Sequence, residues 1–416
     1  MKILWFTNTP SLAEDYLNNK LMNGGFIKSL EKIIQDKVDL SIVFYHNEEL
    51  QPFKYGKTSY FPIYQNSNSL LYKIKTRMLN QIEPNNDIKK FIKIIEEVKP
   101  DLIHIHGTEG PFGLFQKFSS IPTVVSIQGN ISVYELKFFS GIPLLDVFKY
   151  SSLKSRLFFT GNLNYFIRFK KQALREKIIF KITKNIIGRT YWDRRITKVL
   201  SPNAKYFHND EVLKEVFYEG MWQNKLESTL KLFTTNAPAI YKGIETLIYC
   251  AHLLDKNNIN FNWKVAGINI NDDLINIAIK AAKIKLSKNI EFLGRVDDDK
   301  LKESILNCNI YISVSHIENS PNSLCEALIL GTPCIATNAG GTSNFIEDGK
   351  NGILVQDGDP YSMAGAIIDL KEDYALAINY AINARKKALV RHDKNTIAND
   401  LLKIYHDVLA KKEIKN

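Results

Sequence analysis

The stretch Ser315-His-Ile-Glu-Asn-Ser-Pro-Asn-Ser-Leu-Cys-Glu-Ala-Leu-Ile-Leu-Gly-Thr-Pro333 sets Glu318 and Glu326 eight residues apart. Asn319-Ser-Pro-Asn-Ser323 between them is a turn-forming run, and an apolar helix begins around Ser323. One carboxylate therefore ends a loop and the other sits in a first helical turn. The preceding run, Asn309–Val314, reads as a strand, so both acids face whatever lies at its carboxyl end.

The same strand-and-helix rhythm continues on either side. Strands are expected at Leu230–Thr235, Asn262–Ala266, Ile290–Leu293, Pro333–Thr337 and Ile353–Val355, with helices at Gly243–Leu254, Leu274–Ile284, Asp298–Leu306, Ser323–Leu330 and Pro360–Leu370. Such alternation with short loops predicts a parallel, doubly wound sheet whose ligands bind beyond the carboxyl ends of its strands. The amino-terminal half starts in the same style. Lys2–Phe6 is a strand, Asn23-Gly-Gly25 ends its loop and Phe26–Asp36 is a helix. Val38–Tyr45, Leu102–His106 and Thr123–Gln128 are further strands. The expected fold class is α/β with two Rossmann-like domains. Residues 1–220 and 221–395 form the domains, and the helix in 396–416 packs back on the first.

Bulk composition narrows the class. The 416 residues exceed one ordinary core, and 45% apolar with 24% charged residues describe a foldable globular chain. No apolar run approaches the roughly 18 residues needed to span a bilayer. The opening Met1–Pro10 is too short and too soon polar for a secretory signal. Cys250, Cys308, Cys325 and Cys334 share no metal-like spacing and read as reduced core residues of a cytoplasmic protein. The charge is uneven: between Lys149 and Lys198 stand fourteen Lys and Arg against two acids, Glu176 and Asp193, while the whole chain carries +11. The excess belongs to that segment.

Taken singly, the motif residues each have two readings. Ser323-Leu-Cys-Glu326 matches a capping box, or Ser320 is the cap with Pro321 first in the helix. Alternatively, Glu326 accepts hydrogen bonds from two vicinal ribose hydroxyls. Glu318 is an exposed loop acid or a ligand group. The amino end of the helix offers N–H groups and a positive dipole end to a pyrophosphate. Lys242, in Tyr241-Lys-Gly-Ile-Glu245, is a solvated lysine at a helix start or the cation such a diphosphate needs. Ala339-Gly-Gly-Thr342 is an ordinary turn or a place where bare backbone approaches a ligand.

Together these runs resemble the donor domain of family-4 retaining glycosyltransferases of the GT-B fold, in which two Rossmann-like domains face each other across a cleft. The likeness rests on Glu318 and Glu326 as the glutamate-seven-glutamate signature, Glu326-Ala-Leu-Ile-Leu-Gly-Thr-Pro333, the Gly-Gly loop and Asp348-Gly-Lys-Asn-Gly352. Phe292-Leu-Gly-Arg-Val296 resembles the family's base-binding loop and Tyr241-Lys-Gly243 its phosphate lysine. Gly24-Gly25 and Pro100-Asp-Leu-Ile-His-Ile-His-Gly107 match its acceptor domain more loosely. The resemblance implies that Glu326 holds the donor ribose and Glu318 the hydroxyls of the transferred sugar. By the same resemblance, Asn322, Ser323 and Leu324 offer donors to sugar and phosphate, Lys242 neutralises the diphosphate, and Arg295 and Val296 edge the base. Gly25 would close on the phosphates from the other domain. Three positions depart from the pattern. Thr234 or Thr235 stands where the family has an arginine, Asn344 replaces an acid, and Gln128 replaces a histidine, with His106 as another candidate in the acceptor domain.

The implied reaction passes a sugar from a nucleotide diphosphate sugar to a glycan or lipid-linked acceptor, with retention, in surface polysaccharide assembly. Preorganised donors and a cation at the leaving phosphate supply the largest gain. Lys242 and the helix end can serve without a metal, and the sequence has no paired-aspartate motif for one. The basic block 149–198 interleaves aromatic and aliphatic residues with Lys and Arg, as in Tyr165-Phe-Ile-Arg-Phe-Lys-Lys171. It reads as solvated helix faces, as a surface for an anionic membrane at the inner face of which the protein sits peripherally, or as a nucleic-acid surface, the least favoured. Arg189 and Asp193 either line the cleft or form a structural ion pair. Competing functions are another GT-B activity such as nucleotide-sugar epimerisation, or a sugar- or nucleic-acid-binding protein without turnover.

Overall fold

The computed structural model describes every residue except 18–24, 66–69, 83–86, 224 and 414–416, so Asn23 and Gly24 lie outside the described residues. Its contacts divide the chain into two units. The first comprises Met1–Glu135, Ile167–Lys214 and His392–Asn416, and the second Leu136–Phe166 and Glu215–Arg391.

In chain order the strands of the first unit are β1 (Lys2–Phe6), β2 (Asp39–His46), β3 (Phe53–Tyr55), β4 (Thr58–Tyr64), β5 (Leu102–His106), β6 (Thr123–Ser126), β7 (Asn185–Gly188) and β8 (Lys205–His208). Those of the second are β9 (Leu230–Thr235), β10 (Phe261–Ala266), β11 (Ile290–Gly294), β12 (Ile310–Ser313), β13 (Cys334–Thr337) and β14 (Ile353–Val355). The helices up to residue 200 are α1 (Ala13–Tyr16), α2 (Gly25–Ile34), α3 (Leu70–Met78), α4 (Ile88–Val98), α5 (Ile131–Tyr134), α6 (Leu144–Tyr150), α7 (Leu153–Leu157), α8 (Asn162–Ile182) and α9 (Tyr191–Leu200). They continue with α10 (Ile244–Lys256), α11 (Asp273–Ala282), α12 (Asp298–Asn307), α13 (Asn322–Leu330), α14 (Pro360–Glu372), α15 (Tyr374–Arg391) and α16 (Lys394–Glu413).

The first unit holds an eight-stranded sheet in the order β3-β4-β2-β1-β5-β6-β7-β8, parallel except for β3 against β4. Its central strand β1 reads Lys-Ile-Leu-Trp-Phe, with Ile3 through Phe6 fully buried, as a parallel strand covered on both faces requires. The strand order reverses between β1 and β5. Helix α16 packs on α2 and joins the core around Trp5, whose indole N–H donates to the Tyr405 hydroxyl at 3.0 Å.

The second unit holds a six-stranded, wholly parallel sheet in the order β11-β10-β9-β12-β13-β14. Counted from β9 this is the 3-2-1-4-5-6 order of a doubly wound nucleotide-binding sheet, with its switch point between β9 and β12. All four cysteines are buried and none forms a disulfide. Both sheets are thus α/β.

Two expectations need correcting. Leu136–Phe166 belongs with the second unit, not with residues 1–220: Phe138 is fully buried against Tyr241, and the Asp273 carboxylate accepts the Ser152 N–H and the Ser155 hydroxyl. The basic segment 149–198 is divided as well, its residues up to Phe166 lying in the second unit and those from Ile167 in the first. Arg175 and Arg189 are buried, Arg175 donating to the Glu109 carbonyl, and Lys171 donates to the carbonyls of Leu79 and Asn80. Among the described residues, no helix is long and apolar enough to cross a membrane.

Candidate active site

At the switch point of the second sheet, the loops after β9 and β12 meet. The turn Ile240–Lys242 ends in Gly243, whose φ of 73° is left-handed and whose Cβ, if present, would lie 1.9 Å from the Val314 carbonyl oxygen. Only glycine lets this lysine loop press so closely on the end of β12. The contact is fixed by the His316 N–H donating to the Tyr241 carbonyl (2.9 Å) and the Asn236 amide donating to the Lys242 carbonyl (3.0 Å). Lys242 Nζ then reaches Glu318 Oε1 at 2.5 Å, and the Ser315 hydroxyl donates to the same oxygen at 2.9 Å. Both side chains keep some contact with solvent, 25% for Lys242 and 12% for Glu318.

The Gly-Gly loop holds Glu318 from behind. The Gly341 N–H donates to the Glu318 carbonyl at 2.8 Å, and a Cβ on Gly340, at φ 59°, would fall 2.0 Å from that oxygen. Three strand-end loops therefore converge on one acid.

Helix α13 starts directly after. Pro321 occupies the N-cap position, so the helix begins neither at a Ser323 cap nor at a Ser320 cap, and Pro321 itself supplies no side-chain cap. A proline there cannot offer a side-chain acceptor to the first-turn N–H groups, of which that of Leu324 donates back to the Pro321 carbonyl at 3.0 Å. Glu326 is 5% exposed and lies beside Tyr311, together with Ser323 and Thr235. Asn322 Oδ1 is buried without a hydrogen-bond partner, which marks polar capacity a ligand can satisfy, while the Thr235 side chain lies against the Tyr311 hydroxyl. Leu324 is fully buried. Of the two threonines where the family has arginine, Thr234 is a core residue, donating to the Ile312 carbonyl and accepting from the Trp263 indole. Arg295 and Val296 follow β11 on the carboxyl edge of the same sheet, Arg295 exposed and Val296 half-buried.

Sequence reasoning missed the residue between the two motifs. His316 is 2% exposed, with Nε2 2.6 Å from Glu245 Oε1 and Nδ1 3.5 Å from Asp357 Oδ2, and Asp357 also pairs with Lys137 at 3.4 Å. Burial alone lowers its pKa, but the hydrogen bond and charge of Glu245, then those of Asp357, outweigh that and raise it above the ordinary value. Gly141 lies so close over this pair that a Cβ would sit 2.1 Å from Glu245 Oε1. A histidine flanked by Ser and Ile gives no sign of this in sequence.

The remaining candidates lie in the first unit. Gly25 opens α2 at φ 55°, with nothing near where a Cβ would stand. His106 is 2% exposed, packed on Trp5 and stacked on His104, which is itself held by Ser126 and Tyr405 at 2.6 Å each. Burial, with the Arg189 charge, drives the His104 pKa down to about 3, and His106 falls well below its usual value. Arg189 lies over the Phe26 ring, with Nε 3.6 Å from Glu211. Asp193 instead accepts the Arg189 backbone N–H and the Tyr206 hydroxyl. A cavity of about 20 Å³ beside His106 and Arg189 has room for one water. Gln128 is half-buried just past β6. At this sheet's own switch point sits Glu109, a second residue the sequence did not flag. Burial raises its carboxyl pKa to about 7; the charge of Glu176 adds to the shift, and backbone N–H groups and Arg189 oppose it.

A cavity of about 570 Å³ opens at the opposite, amino-terminal edge of β9 to β11. Its lysines and acids pair with one another, Lys231 with Glu227 and Lys300 with Glu303, so it offers no uncommitted charge to a ligand. The strand-carboxyl edge is the better site.

The second unit also contains a stretch that matches a known family. Residues 222–387 match the family described as glycosyl transferases group 1. An uncharacterized glycosyltransferase of Methanocaldococcus jannaschii is 24% identical over 89% of this chain and 88% of its own. A phosphatidyl-myo-inositol mannosyltransferase of Mycobacterium leprae is 29% identical over 30% of this chain, which spans about a third (33%) of that relative. Among solved structures, Staphylococcus aureus TarM, with UDP, alpha-GlcNAc-glycerol and Fondaparinux bound, has a TM-score of 0.65 at 16% identity over 97% of this chain and 100% of its own. Residues 222–387 therefore form a group 1 glycosyl transferase domain, and the chain is a glycosyltransferase of the GT-B fold.

Proposed function

We propose that the enzyme moves a sugar, with retention of anomeric configuration, from a nucleotide diphosphate sugar to a glycan or lipid-linked acceptor, in assembly of a surface polysaccharide. The observation that carries the reading is the Lys242–Glu318 pair at the switch point, 2.5 Å long and set four residues before the start of α13 at Asn322. When the anomeric bond breaks, negative charge gathers on the departing diphosphate. Lys242 and the α13 N–H groups are aimed at that charge and need no rearrangement to meet it. In this role they need no metal ion.

Before donor binds, Glu318 keeps the lysine in place; on binding, Lys242 passes to the phosphate and Glu318 takes the sugar hydroxyls. Glu326 accepts the ribose hydroxyls, Arg295 and Val296 edge the base, and Asn322, Ser323, Leu324 and Thr235 line the diphosphate and sugar. The UDP bound in the TarM structure and the lipid acceptor named in the mycobacterial relative support this choice of substrates. A lipid-linked acceptor brings the enzyme to the inner face of a membrane as a peripheral protein.

A thermal-shift panel of UDP, GDP and ADP with their sugars tests the reading, because a true donor product stabilises the fold by mass action. One nucleotide should raise the melting temperature, and Lys242→Ala should abolish most of that rise and of sugar transfer. Stabilisation by a nucleotide sugar without any transfer would instead favour a binding protein, a reading motivated by Thr235 at the usual arginine position.

A further inference from the structure

The geometry points to the hairpin of α6 and α7 as a docking face for a phospholipid surface rich in anionic headgroups. It deepens the reading above by giving the membrane of a lipid-linked acceptor a landing place on the chain. Within residues 144–158, six large apolar side chains stand in solvent: Leu144 47%, Leu145 80%, Phe148 57%, Leu153 75%, Leu157 74% and Phe158 53% exposed. Scattered apolar residues are ordinary on a surface, but a contiguous run of this kind marks an interaction.

The exposure does not come from loose attachment. Val147 is fully buried, and α6 packs against α11. Asp273, at the start of α11, takes the Ser152 N–H at 3.0 Å and the Ser155 hydroxyl at 3.1 Å. The Arg156 guanidinium donates to the Phe148 carbonyl and, at 3.3 Å, to that of Lys149, and lies 4.8 Å over the Phe148 ring. The two short helices are thus braced against each other and against the sheet unit, with their leucines held outward.

Charge selects the occupant. Lys149, Lys154 and Arg156 share the stretch with a single acid, Asp146, and all three cations are exposed. Against a second copy of the chain these cations would face their own kind. Against anionic headgroups they meet opposite charge while the leucines enter the acyl boundary. The expected basic block extended to residue 198, but Arg175 and Arg189 are buried and take no part in such a face. Its root also touches the donor loop: Phe138 packs on Tyr241, the neighbour of Lys242, with ring centroids 6.0 Å apart.

The test is flotation of the full chain with phosphatidylcholine vesicles, with and without phosphatidylglycerol, at low and high salt. The wild type should bind the anionic vesicles and lose much of that binding in high salt. The triple variant Leu145→Asp, Leu153→Asp, Leu157→Asp and the double variant Lys149→Glu, Lys154→Glu should each bind at least about tenfold less. The double variant alters only exposed lysines, so it tests the face even if the triple variant folds poorly. Wild type that ignores anionic vesicles, or variants that bind as wild type, would overturn the inference. So would a wild-type dimer that the variants convert to monomer with vesicle binding unchanged, since the face would then belong to a second copy. Nucleotide stabilisation, measured on the same samples, fails or survives separately and reports on the donor reading alone.

Discussion

The switch point between β9 and β12 and the one between β1 and β5 arise from the same topology but are finished in opposite ways. In the second unit the strand-end loops keep a charged lysine and glutamate in partial contact with solvent, braced by glycines that admit direct backbone packing. In the first unit the histidines near the strand ends are sunk beneath Trp5 and Tyr405, and burial keeps them neutral. Parallel topology supplies a crevice, whereas the balance of desolvation against charge pairing decides what chemistry the crevice can do. His316 makes the same point from within the second unit. It is as buried as His106, yet two carboxylates carry its pKa up, whereas burial and the charges of His104 and Arg189 carry that of His106 down.

The largest effect that would sharpen this contrast is catalytic. Lys242→Met should reduce sugar transfer by about 10²- to 10³-fold, about 3–4 kcal/mol of transition-state stabilisation, with the circular dichroism spectrum unchanged. His106→Gln should leave the rate of donor hydrolysis within a few-fold. A comparable loss in both variants would erase the distinction.

Next comes the packing of the glycines. Gly243→Ala places a methyl against the Val314 carbonyl and should cost about 3 kcal/mol in urea unfolding, with loss of activity. Gly25→Ala, also left-handed but with open space around it, should cost about 1 kcal/mol.

The two regions should also respond to pH in opposite directions. His104 titrates near 3 in the fold and near 6.5 unfolded, so below pH 6.5 the unfolded chain binds the proton first. Stability is lost as pH falls through that window, by about 2 kcal/mol at pH 5, and His104→Gln should flatten the loss in melting temperature between pH 8 and pH 5. His316 is raised, so its contribution is fully present below pH 6.5 and is lost as pH climbs through its folded value. The groups facing it are Glu245, Asp357 and, through Asp357, Lys137. The melting-temperature gap between wild type and His316→Gln should therefore narrow as pH rises, and a gap that widened would contradict the assignment. The smallest effect concerns the helix start. Ser323→Ala should change stability by less than about 0.5 kcal/mol, because Ser323 does not cap α13.

Much of this is legible in the sequence. The strands Lys2–Phe6, Leu102–His106, Leu230–Thr235 and Ile353–Val355 appear with the limits expected, because buried parallel strands leave near-continuous apolar runs. Lys242 and Glu318, 76 residues apart, are each named from the sequence as site candidates with separate roles, and the structure brings their side chains into contact. The outer strands β3, β4, β7 and β8 escaped notice: β3, β4 and β8 mix aromatic and polar residues without a clear period, and β7 spans only the four residues Asn185–Gly188. The passage of Leu136–Phe166 to the second unit was also hidden. It depends on Phe138 finding Tyr241 and on Asp273 finding Ser152, contacts that span more than 100 residues of chain and leave no local pattern. The capping box failed for a plainer reason: the chain enters α13 through Pro321, and the start of the helix moves one residue earlier than Ser323.

The central claim is that the amino end of α13 and Lys242 receive a diphosphate. Crystals soaked with UDP test it most directly. The account predicts diphosphate density against the first turn of α13, within hydrogen-bond reach of Lys242 Nζ, with the lysine released from Glu318. Density elsewhere, with the Lys242–Glu318 pair still closed at 2.5 Å, would contradict it.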